Sequence, residues 1–207
     1  GGISSSACDD ALERGYAVVA TDMGHEGPAF RSLWAFNNRQ AEIDFAYRAT
    51  HVVAVASKAL VALQLDPRKV VLVSDIGCSG LFDTFFNTHA LHGLHGRALT
   101  YATGLKLGRP ELNVVVTMGD GGQGIGGAHL LAACRRNLNL TLLVLNNFNF
   151  GMTGGQFSAT TPPDAQVGSG FLNLLERPLD ICQTARAAGA AYVSRCSGYR
   201  KDLDAEI

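Results

Sequence analysis

Val114-Val-Val-Thr-Met-Gly-Asp-Gly-Gly122 and Leu140-Thr-Leu-Leu-Val-Leu-Asn-Asn-Phe-Asn-Phe-Gly-Met-Thr-Gly-Gly-Gln156 decide how this chain is read. A β-branched apolar run ends in Gly119-Asp120-Gly121, and a second apolar run ends in Asn146-Asn147. Asp120 and Asn147 are 27 residues apart, room for one helix and a return strand. That is a βαβ unit, with parallel strands and a polar side chain at the tip of each. Ligands of open parallel sheets sit outside the carboxyl ends of the strands, so Asp120 and Asn147 are expected to meet at one site.

A carboxylate and a neutral amide oxygen suit a hard cation such as Mg²⁺, which takes its other oxygens from phosphate. Gly121 and Gly122 lack a Cβ and let backbone come close to a phosphate. A helix expected from about Gly124 would aim its positive end at the same place. A diphosphate held through Mg²⁺ fits this chemistry. The alternative is a tight Gly-Asp-Gly turn and a polar strand end with no metal.

Gly119-Asp-Gly121 followed by Asn146-Asn147 resembles the thiamine diphosphate motif. Ile76-Gly-Cys-Ser-Gly80, His92-Gly-Leu-His-Gly-Arg97, Ala102-Thr-Gly-Leu-Lys106, Arg135-Arg-Asn137 and Thr153-Gly-Gly-Gln156 narrow the likeness. Together they resemble the β subunit of 2-oxoacid:ferredoxin oxidoreductases, from about Leu60 to the C-terminus. The resemblance implies a parallel-sheet, thiamine-diphosphate-binding α/β fold over residues 61–207. It implies Mg²⁺ on Asp120, Asn147 and the backbone carbonyl of Asn149. Gly77, Cys78, Ser79, His95, Gly119, Asp120, Gly121, Gly122, Asn147, Thr153 and Gly154 would contact the cofactor, and His95 and Arg97 would border the reacting centre. The implied reaction is oxidative decarboxylation of a 2-oxoacid to acyl-CoA. Its implied partners are an α subunit, ferredoxin, coenzyme A and the 2-oxoacid.

The same resemblance makes Cys78 one of four ligands of a [4Fe–4S] cluster. Such a cluster normally needs four thiolates. Cys78 is the one cysteine that matches, so the cluster is not expected to assemble. Cys134 is expected along the sheet face, not at its tip. A buried, inert thiol is the other reading of Cys78. For His92, His95 and Arg97 the other reading is a polar helix entry. Arg135 and Arg136 are expected to complement a helix C-terminus.

Residues 1–60 read differently. Arg14-Gly-Tyr-Ala-Val-Val-Ala-Thr-Asp-Met-Gly-His-Glu-Gly27 and Asp44-Phe-Ala-Tyr-Arg-Ala-Thr-His51 resemble the tannase and feruloyl esterase group of α/β-hydrolases. The expectation is an N-terminal hydrolase-like fragment joined to an unrelated domain, with the seam near Ser57–Ala62. A long helix is expected over Arg39–Leu65. Gly77-Cys-Ser-Gly80 then has a second reading as a nucleophile elbow with Ser79 attacking. Leu81 and Phe82 stand where that family continues Gly-Gly, and no convincing histidine completes a triad.

The bulk properties exclude several classes. At 47% hydrophobic, 17% charged and net charge −1, the chain reads as globular, without the basic field that nucleic acid or an anionic membrane requires. No apolar run reaches the ~18 residues of a membrane span. Five scattered cysteines argue against a disulfide framework and for a reducing cytoplasm. Gly1 in place of Met, and a helix-like opening at Lys201–Ile207, read as a chain cut at both ends. Further along, strands are expected at Val70–Val73 and Ala191–Ser194, and helices at Ala98–Leu107 and Leu179–Ala188. Ala102 and Gly104 are expected to let the first of these helices pack closely on the sheet.

Overall fold

The computed structural model describes residues 65–86, 88–169 and 172–196. The expected seam, the hydrolase-like segment and the Arg39–Leu65 helix lie outside these residues, apart from Leu65 itself. The chain divides into two compact units, of which one, Asp66–Thr84 with Thr88–Arg195, carries nearly all the described residues.

That unit is built on a parallel sheet. Its strands are β1 (Val70–Ser74), β2 (His89–His92), β3 (Asn113–Gly119) and β4 (Thr141–Leu145), in the order β2-β1-β3-β4. All three pairings are parallel, with Ser74 beside Thr117 and Gly119 beside Leu145. β1 and the middle of β3 are buried and read as Val-rich, near-continuous apolar runs, as strands covered on both faces do.

Helices α1 (Ala98–Gly108), α2 (Asp120–Ile125), α3 (Gly127–Arg136) and α4 (Ile181–Ala187) accompany the sheet. One core joins Val71, Val73, Val114, Val116 and Met118 of the sheet to Leu99, Ala102, Leu130, Cys134, Ile181 and Ala185 of the helices. The alternation of these strand positions shows one face of the pleat turned to α1, α3 and α4. Cys134 therefore lies along the sheet face, as expected. Arg135 and Arg136 are exposed in the last turn of α3, which ends at left-handed Asn137. Lys106 closes α1 by donating to the carbonyls of Pro110 (2.8 Å) and Leu112 (2.6 Å). Asp180 caps α4 by accepting the Gln183 N–H at 2.9 Å.

Four expectations change. The helix expected from Gly124 starts at Asp120 and is broken at Gly126 into α2 and α3. A Cβ on Gly126 would stand 2.2 Å from the Gly96 carbonyl, so α1's entry passes too close for any other residue. Gly104 does not pack on the sheet: it is exposed with nothing near it, two residues round the helix from buried Ala102. Ala191–Ser194 forms no strand. There the Val193 carbonyl accepts from Arg186 and the Ser194 carbonyl from the Cys182 thiol, so α4 side chains take the groups a ladder would use. His92 ends a strand, β2, instead of lying in a loop-to-helix stretch.

No helix among the described residues is long and apolar enough to cross a membrane.

Candidate functional site

The parallel register brings three strand ends together: Asp75 after β1, Asp120 after β3, and Asn146-Asn147 after β4. Asp120 opens α2 and is 1% exposed. Its Oδ2 accepts the Ser158 hydroxyl and, at 3.0 Å, the Thr160 hydroxyl. Its Oδ1 lies 2.9 Å from the end of the Asn147 amide, which is also 2.9 Å from the Asn149 carbonyl oxygen.

Two arrangements satisfy that triangle. With the amide nitrogen turned inward, both oxygens receive a hydrogen bond. With the amide oxygen turned inward, three oxygens face one another, a repulsive set that a cation among them makes attractive. A carboxylate, an amide oxygen and a backbone carbonyl are hard donors of the kind Mg²⁺ takes. The residues present fit that ion.

Asn149 and Phe150 form β5, which pairs antiparallel with β6 (Gln156–Phe157). Thr153 and Gly154 sit exposed at the turn of this ribbon. There the Thr153 hydroxyl bonds Gln156 at 2.5 Å and Gly154 takes φ +112°. Neither bonds Asp120 or Asn147.

The glycines after Asp120 make room for the protein itself. A Cβ on Gly121 would meet the Phe150 ring at 2.4 Å, and one on Gly122 would meet Asp75 Oδ2 at 1.9 Å. Asp75 is fully buried. Its Oδ1 accepts the Gly96 N–H at 2.6 Å and its Oδ2 lies 3.0 Å from His95 Nδ1. The carboxylate thus fixes His95 with Nε2 directed away from it, while the ring meets Phe150 edge to face at 5.9 Å.

Arg97 precedes α1 and reaches only the Gly96 carbonyl, at 3.4 Å; it has no carboxylate partner among the described residues. Gly77, at φ +96°, turns the chain from β1 into the 3-10 helix Cys78–Phe85. Cys78 is exposed there. Its Sγ would lie 3.6 Å from a Cβ on Gly151, so it borders the Asn147–Gly151 loop. Burial pushes the Cys134 thiol up, away from reactivity. Among the described residues no three His, Cys, Asp or Glu are placed to hold a metal. The described cysteines therefore do not fit a four-thiolate cluster.

His92 stands apart from Asp120. Its Nδ1 lies 2.9 Å from Ser74 Oγ and 3.1 Å from Asp83 Oδ2, and the Ser74 hydroxyl bonds Asp83 at 2.7 Å. This trio is not a hydrolytic triad. Ser74 is fully buried, and serine and carboxylate share one ring nitrogen, whereas a triad uses opposite ones. Ser79, 8% exposed, bonds no histidine among the described residues.

Sequence reading missed Asp75, Asp83, Ser158, Thr160 and Thr161. Asp75 was legible as a carboxylate at a strand end, like Asp120. The Ser158–Thr161 stretch carries no local pattern that points to Asp120.

Residues 75–207 match the thiamine pyrophosphate enzyme family, in its C-terminal TPP-binding domain. The chain belongs to that family. Residues 2–79 match tannase and feruloyl esterase, and the two matches meet over residues 75–79.

Within the thiamine family the similar proteins are β subunits. The chain is 52% identical over 133 residues to 2-oxoglutarate synthase subunit KorB of Archaeoglobus fulgidus, covering 64% of this chain and 50% of that one. It is 43% identical over 158 residues to the 2-oxoacid:ferredoxin oxidoreductase β subunit of Saccharolobus solfataricus, covering 73% and 50%. A solved structure of 2-oxoglutarate:ferredoxin oxidoreductase from Magnetococcus marinus, with 2-oxoglutarate, coenzyme A and succinyl-CoA bound, superposes with a TM-score of 0.67. It is 34% identical over 69% of this chain and 50% of that one. The chain spans about half the length of these relatives.

Proposed function

We propose that the unit carrying β1 to β4 binds thiamine diphosphate through Mg²⁺ as part of a 2-oxoacid:ferredoxin oxidoreductase β subunit. The observation that carries this is the meeting of Asp120 Oδ1, the Asn147 amide and the Asn149 carbonyl at the sheet's carboxyl edge. Family membership and the named relatives support it.

Asp120 and Asn147 would hold the ion by side-chain oxygen and Asn149 by its carbonyl. Gly119, Gly121 and Gly122 would line the diphosphate end. Gly77, Cys78, Ser79 and His95, from the tip of β1 and the entry to α1, would border the reacting end, and Thr153 and Gly154 its open side. When bound, thiamine diphosphate supplies the electron sink for loss of CO₂ from a 2-oxoacid. His95, fixed at Nδ1 by Asp75, presents Nε2 to accept or return a proton. Arg97, without an internal carboxylate, suits the carboxylate of the substrate.

The product would be acyl-CoA, formed in the cytoplasm with an α subunit, ferredoxin and coenzyme A as partners. 2-Oxoglutarate is the substrate to test first, since the A. fulgidus and M. marinus proteins are named for it.

A second reading is a chimeric chain that binds cofactor without turnover; the meeting of two family matches at residues 75–79 favours it. An esterase using Ser79 is the weakest, for want of a histidine partner to it among the described residues.

The test is calorimetric titration of thiamine diphosphate into the full chain, with Mg²⁺ and with EDTA. Saturable binding in Mg²⁺ alone is expected. Binding that ignores the metal, or none at all, sinks the proposal.

A further inference from the structure

The candidate cation site depends on a residue that touches neither the ion nor the cofactor. This inference rests on the reading that Asp120, Asn147 and Asn149 hold a divalent cation. Between the last two stands Phe148, with φ +62°. Left-handed backbone is costly for a residue with a Cβ, and a bulky side chain there needs a cause. Packing of the ring is not that cause, because Phe148 is 46% exposed.

The backbone bonds supply it. The Phe148 N–H donates to Asn146 Oδ1 at 3.0 Å, and the Phe148 carbonyl accepts the Thr161 hydroxyl at 2.6 Å. The left-handed residue turns the chain so that the side chain before it and the carbonyl after it face one point. In an extended strand they would diverge.

Thr161 belongs to a buried turn that reaches the other ligand as well. Its N–H bonds the Ser158 carbonyl at 3.2 Å, and its Oγ1 accepts the Ser158 N–H at 2.8 Å. From the same turn the Ser158 and Thr160 hydroxyls converge on Asp120 Oδ2, and the Thr160 hydroxyl also lies 3.0 Å from Asn146 Oδ1. One turn therefore occupies the oxygen of Asp120 that points away from Asn147, leaving Oδ1 for the ion. It also grips both ends of the bend at Phe148.

We infer that the Ser158–Thr161 turn sets the geometry of the cation site, with Thr161 the positioning residue that holds Phe148 left-handed.

The test is Mn²⁺ binding to the full chain in the presence of thiamine diphosphate, read by electron paramagnetic resonance, with the urea midpoint of each apo variant. Thr161→Val keeps the shape and removes the hydroxyl; it is expected to weaken Mn²⁺ by ~10-fold, the scale of one left-handed residue released. Thr161→Ser restores wild-type affinity. Adding Phe148→Gly to Thr161→Val restores most of the affinity, because glycine adopts the bend unaided. It does not restore the urea midpoint, because the Ser158 N–H still lacks its acceptor, and that split separates positioning from folding.

If Thr161→Val does not fold, Phe148→Val in the wild-type background replaces it. This trades an exposed ring for a branched Cβ that disfavours the left-handed backbone, and weaker Mn²⁺ binding is again expected. Wild-type affinity in either single valine variant overturns the proposal, as does failure of Phe148→Gly to rescue. Absence of Mn²⁺ binding in the wild type overturns the cofactor reading itself, and the proposal with it.

Discussion

Asp75 and Asp120 are two nearly inaccessible carboxylates at the carboxyl ends of adjacent parallel strands, and the chain treats them in opposite ways. Asp75 has a donor on each oxygen, from Gly96 N–H and His95, and is complete within the fold. On Asp120 the Ser158 hydroxyl, and the Thr160 hydroxyl that it shares with Asn146 Oδ1, meet one oxygen, while the other faces the Asn147 amide and the Asn149 carbonyl. A buried carboxylate satisfied on both sides orients a neighbour. One whose second oxygen meets only an amide that can turn its own oxygen inward is suited to a cation from outside the chain. The difference places Asp75 in the scaffold of His95 and, on the proposed function, leaves Asp120 for the ligand.

Exchanging the two residues' fates is the strongest way to break this contrast. Asp120→Ala is expected to weaken Mg²⁺-dependent thiamine diphosphate binding by at least ~3 kcal/mol, the order for removing one partner of a buried charge pair. Calorimetry on the variant checks it, and equal affinity would erase the distinction. Asp75→Asn should do the reverse. It is expected to lower unfolding free energy by ~1–3 kcal/mol, since donors at Gly96 and His95 lose a charged acceptor. Its cofactor affinity should fall less than that of the Asp120 variant. Urea unfolding and the same titration measure both; a large loss of affinity at unchanged stability would make Asp75 a ligand-site residue after all.

The smallest effect concerns a third, partly exposed aspartate. The Gln183 N–H, and then Arg195, hold the Asp180 carboxyl below its ordinary value. A depressed folded pKa gives stability that is present above the unfolded value, ~4 for aspartate. It is lost as pH falls through the lower, folded value. Asp180→Ala should therefore differ from wild type in urea midpoint near neutral pH and converge with it on acidification. A difference that persists at low pH would show that the cap acts without its charge.

How far the sequence reached differs across the same sheet. β1, β3 and β4 were legible because their runs are rich in Val and Leu, whether buried as in β1 and β3 or half-buried as in β4, and their polar tips stood out against that background. β2 was not legible: His89-Ala-Leu-His92 is an edge strand with exposed positions and no β-branched residue. The candidate metal ligands Asp120 and Asn147 were readable from one βαβ spacing, and Asn149 only from the family resemblance. The residues that orient them were not, because Ser158 and Thr160 reach Asp120 from 38 and 40 positions away. No local period records such a bond. Ala191–Ser194 failed in the other direction: a short apolar alternation was present, but α4 side chains occupy the carbonyls of Val193 and Ser194.

The close approach at Gly122 has a consequence for protein engineering. A Cβ there would fall 1.9 Å from Asp75 Oδ2, so the last glycine of Gly-Asp-Gly-Gly is a negative impression of a side chain on the neighbouring strand. A designer who transplanted only the stretch from Gly119 to Asn147 into another parallel sheet would carry over the mould without its cast. The graft would have an empty notch where Asp75 belongs, and an imidazole equivalent to His95 would have no anchor. The smallest portable unit of this site thus includes the tip of β1 and the Leu94–Arg97 entry to α1.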